Sequence, residues 1–82
     1  LGNGIYGVER ASRYYFGVGV DDLSIGQIAT LVGMTRSPEY YEPRRHPERA
    51  EAVRNVVLGL MRADALVDEV DVAAAKESDL GV

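Results

Sequence analysis

Eighty-two residues with a formal net charge of −4 make one small domain or a part of a larger one, and a chain this short buries only about 60% of the surface its unfolded form exposes. The acidic balance offers no long-range field to nucleic acid or to an anionic membrane surface, so generic nucleic-acid binding is excluded as the leading reading. The absence of cysteine excludes disulfides and thiolate metal sites, and no signal peptide or membrane-length apolar run occurs, so such elements of an exported parent would lie elsewhere.

With a single Phe and no Trp, the core has to be built from Ile, Val, Leu and Ala with a few Tyr. Leu1-Gly2-Asn3-Gly4 reads as a glycine loop leading into a helix from about Ile5 to Phe16. Ile5, Val8, Ala11, Tyr15 and Phe16 fall on one helical arc, Tyr6, Arg10 and Arg13 on the other, and Gly17 and Gly19 end the element. Ser24 with Gln27 three residues on is a capping-box pattern, which predicts a second helix. Its apolar face is Ile25, Ile28, Ala29, Leu31 and Val32, with Gln27 and Thr30 opposite and Gly33 as a C-terminal stop.

From Met34 to Pro47, Pro38, Pro43 and Pro47 forbid a continuous helix, so this stretch reads as an ordered surface loop. Pro47 suits the first position of a third helix and Glu48 its positive end, while Ala50, Val53, Val57, Leu60 and Met61 sustain the helical period to about Ala63. Asp68 is placed to cap a fourth helix, with Val67 and Val72 as a hydrophobic staple, an Ala73-Ala74-Ala75 run of high propensity, and a tail that frays from Ser78. The expected fold class is all-α, about four helices around one shared core, with no predicted strand.

Few residues invite chemistry. On the third helix Arg49 and Arg54 lie within or beside the apolar arc, where a guanidinium snorkels out, pairs with a carboxylate of another helix, or lines an anion site. Glu9, at the edge of the first helix's apolar arc, could be desolvated toward a general base, but Arg13 four residues on accounts for it as a simple helical pair. His46 has no second histidine or cysteine for a metal site and reads as an exposed loop residue. Tyr40 and Tyr41 with Arg36, Arg44 and Arg45 make the loop aromatic and basic, suited to a sugar or phosphate and equally to covering the end of a core. Ser24 to Ser37 resembles the opening of a helix-turn-helix DNA reader, but Pro38 and Pro43 would fall inside the recognition helix.

The order of the pieces Leu1-Gly2-Asn3-Gly4-Ile5-Tyr6-Gly7-Val8-Glu9, Tyr15-Phe16-Gly17, Leu23-Ser24-Ile25, Ala29-Thr30-Leu31-Val32-Gly33, Ser37-Pro38, Tyr41-Glu42-Pro43, Pro47-Glu48-Arg49-Ala50 and Arg54-Asn55-Val56-Val57-Leu58 resembles family 51 glycosyltransferases. These are the peptidoglycan glycosyltransferase, or transglycosylase, domains of penicillin-binding proteins. The resemblance covers nearly the whole chain and implies the C-terminal portion of an all-helical, lysozyme-like domain. It also implies a parent enzyme that polymerises lipid II into glycan strands on the outer face of the bacterial cytoplasmic membrane, often joined to a transpeptidase.

In that family one glutamate deprotonates the acceptor 4-hydroxyl, which attacks the anomeric carbon as undecaprenyl pyrophosphate leaves. A second glutamate and basic groups, sometimes with a divalent metal, assist the pyrophosphate. Both glutamate motifs fall upstream of Leu1, so no catalytic residue and no cofactor is assigned here and Glu9 takes neither role. The family's paired arginines correspond to Val53 and Arg54, and Thr35 stands where proline is common, which suggests a divergent member. Arg54 and Arg49 are the candidate substrate-binding residues. The 82 residues alone are expected to be inactive, and the first and third helices, lacking the upstream half, to leave apolar surface that promotes self-association. A non-catalytic helical scaffold or interaction module is the alternative reading.

Overall fold

The computed structural model describes the backbone of residues 2–82 and the side chains from Gly7 onward. Four helices follow one another, α1 (Gly2–Phe16), α2 (Ile25–Met34), α3 (Pro47–Ala63) and α4 (Glu69–Glu77), with a short 3-10 turn at Val20–Asp22. Among the described residues there is no strand, in keeping with the all-α expectation.

The first helix starts earlier than its glycines suggest. Gly2 to Gly4 are already helical, because a glycine costs a helix only about 1 kcal/mol and does not forbid it. Leu1 and the side chains of Ile5 and Tyr6 lie outside the described residues. At the other end Gly17 takes φ of +71°, a left-handed position that glycine adopts without strain, and its N–H closes on the Arg13 carbonyl at 3.0 Å. Ser12, fully buried, donates from its hydroxyl to the Val18 carbonyl at 2.6 Å and so folds the turn back on α1.

The capping box forms as its spacing predicts: the Gln27 N–H donates to Ser24 Oγ at 3.1 Å and the Ser24 N–H to Gln27 Oε1 at 2.9 Å. The buried side of α2 differs from the expected face. Thr30 is fully buried, donating to the Gly26 carbonyl at 2.8 Å, while Ile28 and Val32 reach solvent. A threonine that bonds the preceding turn satisfies its own hydroxyl, so burial costs little. Gly33 is no stop. It lies inside α2, and a Cβ there would come within 2.8 Å of Val53 Cγ1, so its role is to let α3 approach.

In α3 Pro47 occupies the first turn with Glu48 beside it. The fully buried stripe is Ala50, Arg54 and Leu58, spaced four residues apart on one face. Val53, Val57 and Met61 flank it half-buried, and Leu60, expected inside, points out. The shared core joins Ala29 of α2, Leu58 of α3 and Val72 and Ala75 of α4, with Ile25, Val57, Met61 and Val67 packed on it. Val67 and Val72, the expected staple residues, thus lie in or against the same cluster, and the Asp68 side chain makes no cap bond. The link from α3 turns through Asp64 and Ala65: the Leu66 N–H bonds the Met61 carbonyl and the Ala65 N–H the Arg62 carbonyl, a Schellman pair that places Ala65 at φ of +59°. The tail does not fray at Ser78. Lys76 and Ser78 give their carbonyls to Arg54, and Leu80 is buried.

Candidate functional site

Residues 35–46 form successive turns rather than a helix, as the three prolines require, so α2 is not followed by a recognition helix. Glu42 organises this loop by accepting the backbone N–H groups of Arg44 at 3.2 Å and Arg45 at 2.8 Å. That turn aims the Arg44 side chain back at α1. Its Nη2 donates to the Tyr14 carbonyl at 2.7 Å, and its guanidinium lies 4.8 Å from the Tyr14 ring centroid and 5.5 Å from that of Tyr15. Arg44 therefore satisfies an orphan carbonyl in the last turn of α1 and adds cation–π contact. Burial pushes the Tyr15 phenol pKa up, helped by the Glu42 carboxylate and Tyr14 and opposed by Arg44.

Next to this clasp sits the exposed pair Tyr40 and Arg49. The Arg49 guanidinium covers the Tyr40 ring at 4.1 Å and its Nη1 donates to the Tyr40 carbonyl at 3.4 Å, while Tyr41 meets Tyr40 edge-on at 4.9 Å. Arg49 stands in the first turn of α3, where the helix dipole adds positive character. The geometry pairs a solvent-facing guanidinium with an aromatic face, an arrangement that contacts either an anionic oxygen or a sugar ring.

Arg54 is placed differently from Arg49, although sequence reasoning grouped them. Its side chain is 1% exposed. Nε donates to Asn55 Oδ1 at 3.1 Å, Nη1 to the Ser78 carbonyl at 2.9 Å and Nη2 to the Lys76 carbonyl at 2.9 Å. Its partners are uncharged oxygens, the neighbouring Asn55 amide and two carbonyls at the C-terminus of α4, not the carboxylate or open anion site weighed from the sequence. The two arginines are thus not brought together on one surface. Val53 faces Gly33.

Glu9 accepts from Arg13 Nε at 2.9 Å and from the Val20 N–H at 3.2 Å, so it caps the 3-10 turn as well as pairing along α1. His46 is half-buried rather than exposed, and its carbonyl accepts the N–H groups of Arg49 and Ala50 to start α3. Among the described residues no group of three His, Asp or Glu side chains lies close enough to hold a metal ion.

An apolar groove of about 430 Å³ runs between α1 and α2, lined by Val8, Ala11, Tyr15, Leu31, Met34 and Pro38 among others. A second recess of about 220 Å³ shares Val8 and Leu31 with it and continues past Val20, Ile28 and Val32. α3 presents Val56 and Leu60, 62% and 60% exposed, to solvent. Uncovered apolar surface on the first and third helices was expected from the sequence. The Arg44 clasp and the Gly33–Val53 contact were not, since each joins residues far apart in the chain and leaves no local pattern.

Comparison with known proteins adds the remaining finding. The family described as Transglycosylase matches residues 1–62. Penicillin-binding protein 2a of Streptococcus pneumoniae is 42% identical over 80 residues, covering 98% of this chain and 11% of its own length. Penicillin-binding protein 1B of Haemophilus influenzae is 40% identical over 78 residues, 95% of this chain and 10% of its own. Penicillin-binding protein 1A of Streptococcus oralis is 42% identical over 67 residues, 82% of this chain and 10% of its own. The chain spans about a tenth of the length of these relatives.

Proposed function

The chain belongs to the transglycosylase family, and from that membership we propose that it forms the C-terminal portion of a peptidoglycan glycosyltransferase domain. The parent enzyme polymerises lipid II into glycan strands at the outer face of the bacterial cytoplasmic membrane and carries a penicillin-sensitive transpeptidase. The observation behind the reading is the family match through residues 1–62 together with relatives at 40–42% identity along nearly the whole chain.

Within these residues we assign no catalytic base. Glu9 is engaged by Arg13 and by the Val20 amide, and Glu42 by two amides of its own loop. The acceptor 4-hydroxyl must lose its proton as it attacks the anomeric carbon and undecaprenyl pyrophosphate departs, and the groups that drive both events belong to the rest of the domain. Arg49, exposed at the start of α3 and lying on Tyr40, is our candidate for contact with substrate phosphate or sugar. Arg54 serves the site through the fold that it holds.

A lipid II titration on the purified chain tests this assignment. We expect saturable binding that Arg49→Ala weakens about tenfold, the loss of one charge-assisted contact, with no polymer formed. Failure of a folded chain to bind lipid II would remove Arg49 from recognition. Polymerisation by the 82 residues alone would overturn the assignment of the base to the rest of the domain.

A further inference from the structure

The alanine run of α4 favours a helix but does not by itself explain its hold on the core. The helix has nine residues, below the roughly 12–15 at which an isolated helix becomes even marginal in water. Its N-terminal Asp68 makes no side-chain cap, and only Val72 and Ala75 of the helix are buried. At its C-terminal end Ser78 bonds the Ala74 and Ala75 carbonyls, and the Arg54 fork takes the carbonyls of Lys76 and of Ser78 itself, which no group of α4 meets. Beyond them Leu80 returns to the body beside Pro43 and Pro47. The cation that closes this end comes from the middle of α3, and α4 itself lies past the residues that the family pattern matches.

We propose that Arg54 is a latch: a buried guanidinium that caps α4 from another helix, so that α4 and the tail through Leu80 dock and undock as one unit while α2 and α3 stay folded. The helix dipole favours the arrangement, because the negative end of α4 is what the guanidinium meets. Two bonds made by one rigid fork form and break together, which makes the release of α4 a discrete event rather than gradual fraying. The contact of α2 with α3 at Gly33 and Val53 involves neither α4 nor the fork.

Hydrogen exchange tests the latch, first on the native chain. Amides of residues 73–78 should exchange through an opening with a smaller denaturant dependence than amides of residues 29–33 and 54–61, as a sub-global unit does. A single shared dependence for all of them overturns the proposal without any substitution. In Arg54→Met, removal of both bonds to a charged group should accelerate exchange in α4 about a hundredfold, and Arg54→Lys, whose ammonium lacks the fork, about tenfold. The α2–α3 amides should change by less than about threefold in either variant. Equal acceleration across all helices would make Arg54 an ordinary core strut and overturn the latch, as would an unchanged α4. Because the readout is exchange and not lipid II binding, its failure is distinguishable from failure of the assigned function.

Discussion

Gly33→Ala isolates the closest approach in the fold. The added Cβ would sit 2.8 and 2.9 Å from the two methyl carbons of Val53 and 3.3 Å from its Cβ. These distances are well inside ordinary contact, and the obstacle is a β-branched side chain that has little room to rotate on a helix. Overpacking of this kind costs about 1–3 kcal/mol, whereas alanine in place of glycine returns about 1 kcal/mol of helix propensity. A net loss of up to about 2 kcal/mol is expected, equivalent to at most roughly 16 °C in Tm for a chain this size. In the Val53→Ala background the obstructing methyls are gone, so the same Gly33→Ala change should become neutral or stabilising. Urea titrations of the four proteins give the coupling between the two positions, expected at about 1–3 kcal/mol. A coupling below about 0.5 kcal/mol, the scatter of independent sites, would refute close packing of α2 on α3 at this point.

Ala65→Gly relieves a left-handed residue that costs alanine about 1–2 kcal/mol, and after the added freedom of glycine in the unfolded chain it should raise stability by about 0.5–1 kcal/mol, read as a shift of the urea midpoint at constant slope. Tyr15 has its pKa raised by burial, so the folded state holds its proton more tightly than the unfolded chain. Its contribution is complete below the unfolded value of about 10 and is lost as pH rises through that value toward the folded one. Tyr15→Phe should accordingly show a shallower loss of stability between pH about 9 and 11, and identical profiles would remove Tyr15 as the cause. The groove along Val8, Ile28 and Val32 should drive self-association: light scattering is expected to rise with concentration and to fall back in Val32→Glu, and a strictly monomeric native chain would count against it.

Where signals are local, the sequence discloses the structure. Ser24 and Gln27 are three residues apart and form their box; Pro47 and Glu48 open α3; Val67 and Val72 both reach the core. On α3 the sequence places Arg54 in or beside the apolar arc, as found, but not its partners, carbonyls 22 and 24 residues away that no periodicity encodes. Gly33 is misread, since a glycine near a helix end looks like a terminator until the neighbouring helix is in place. For the candidate site, Arg49 and Tyr40 are visible as residue types, but their stacking across nine positions and the diversion of Arg44 onto Tyr14 depend on the turn that Glu42 builds.

The turn at Ala65 carries a consequence about chirality. Its φ of +59° is strained for an L-residue because Cβ crowds the next carbonyl, but for the mirror-image residue the same backbone angles are the relaxed helical ones. A chain of 82 residues is short enough to assemble by chemical synthesis with D-alanine at this position alone. Such a protein removes the crowding, as glycine does, without glycine's looseness in the unfolded state. It should therefore be more stable than the Ala65→Gly variant by about 0.4–1 kcal/mol, and the handedness of a single carbon would separate the two parts of the cost.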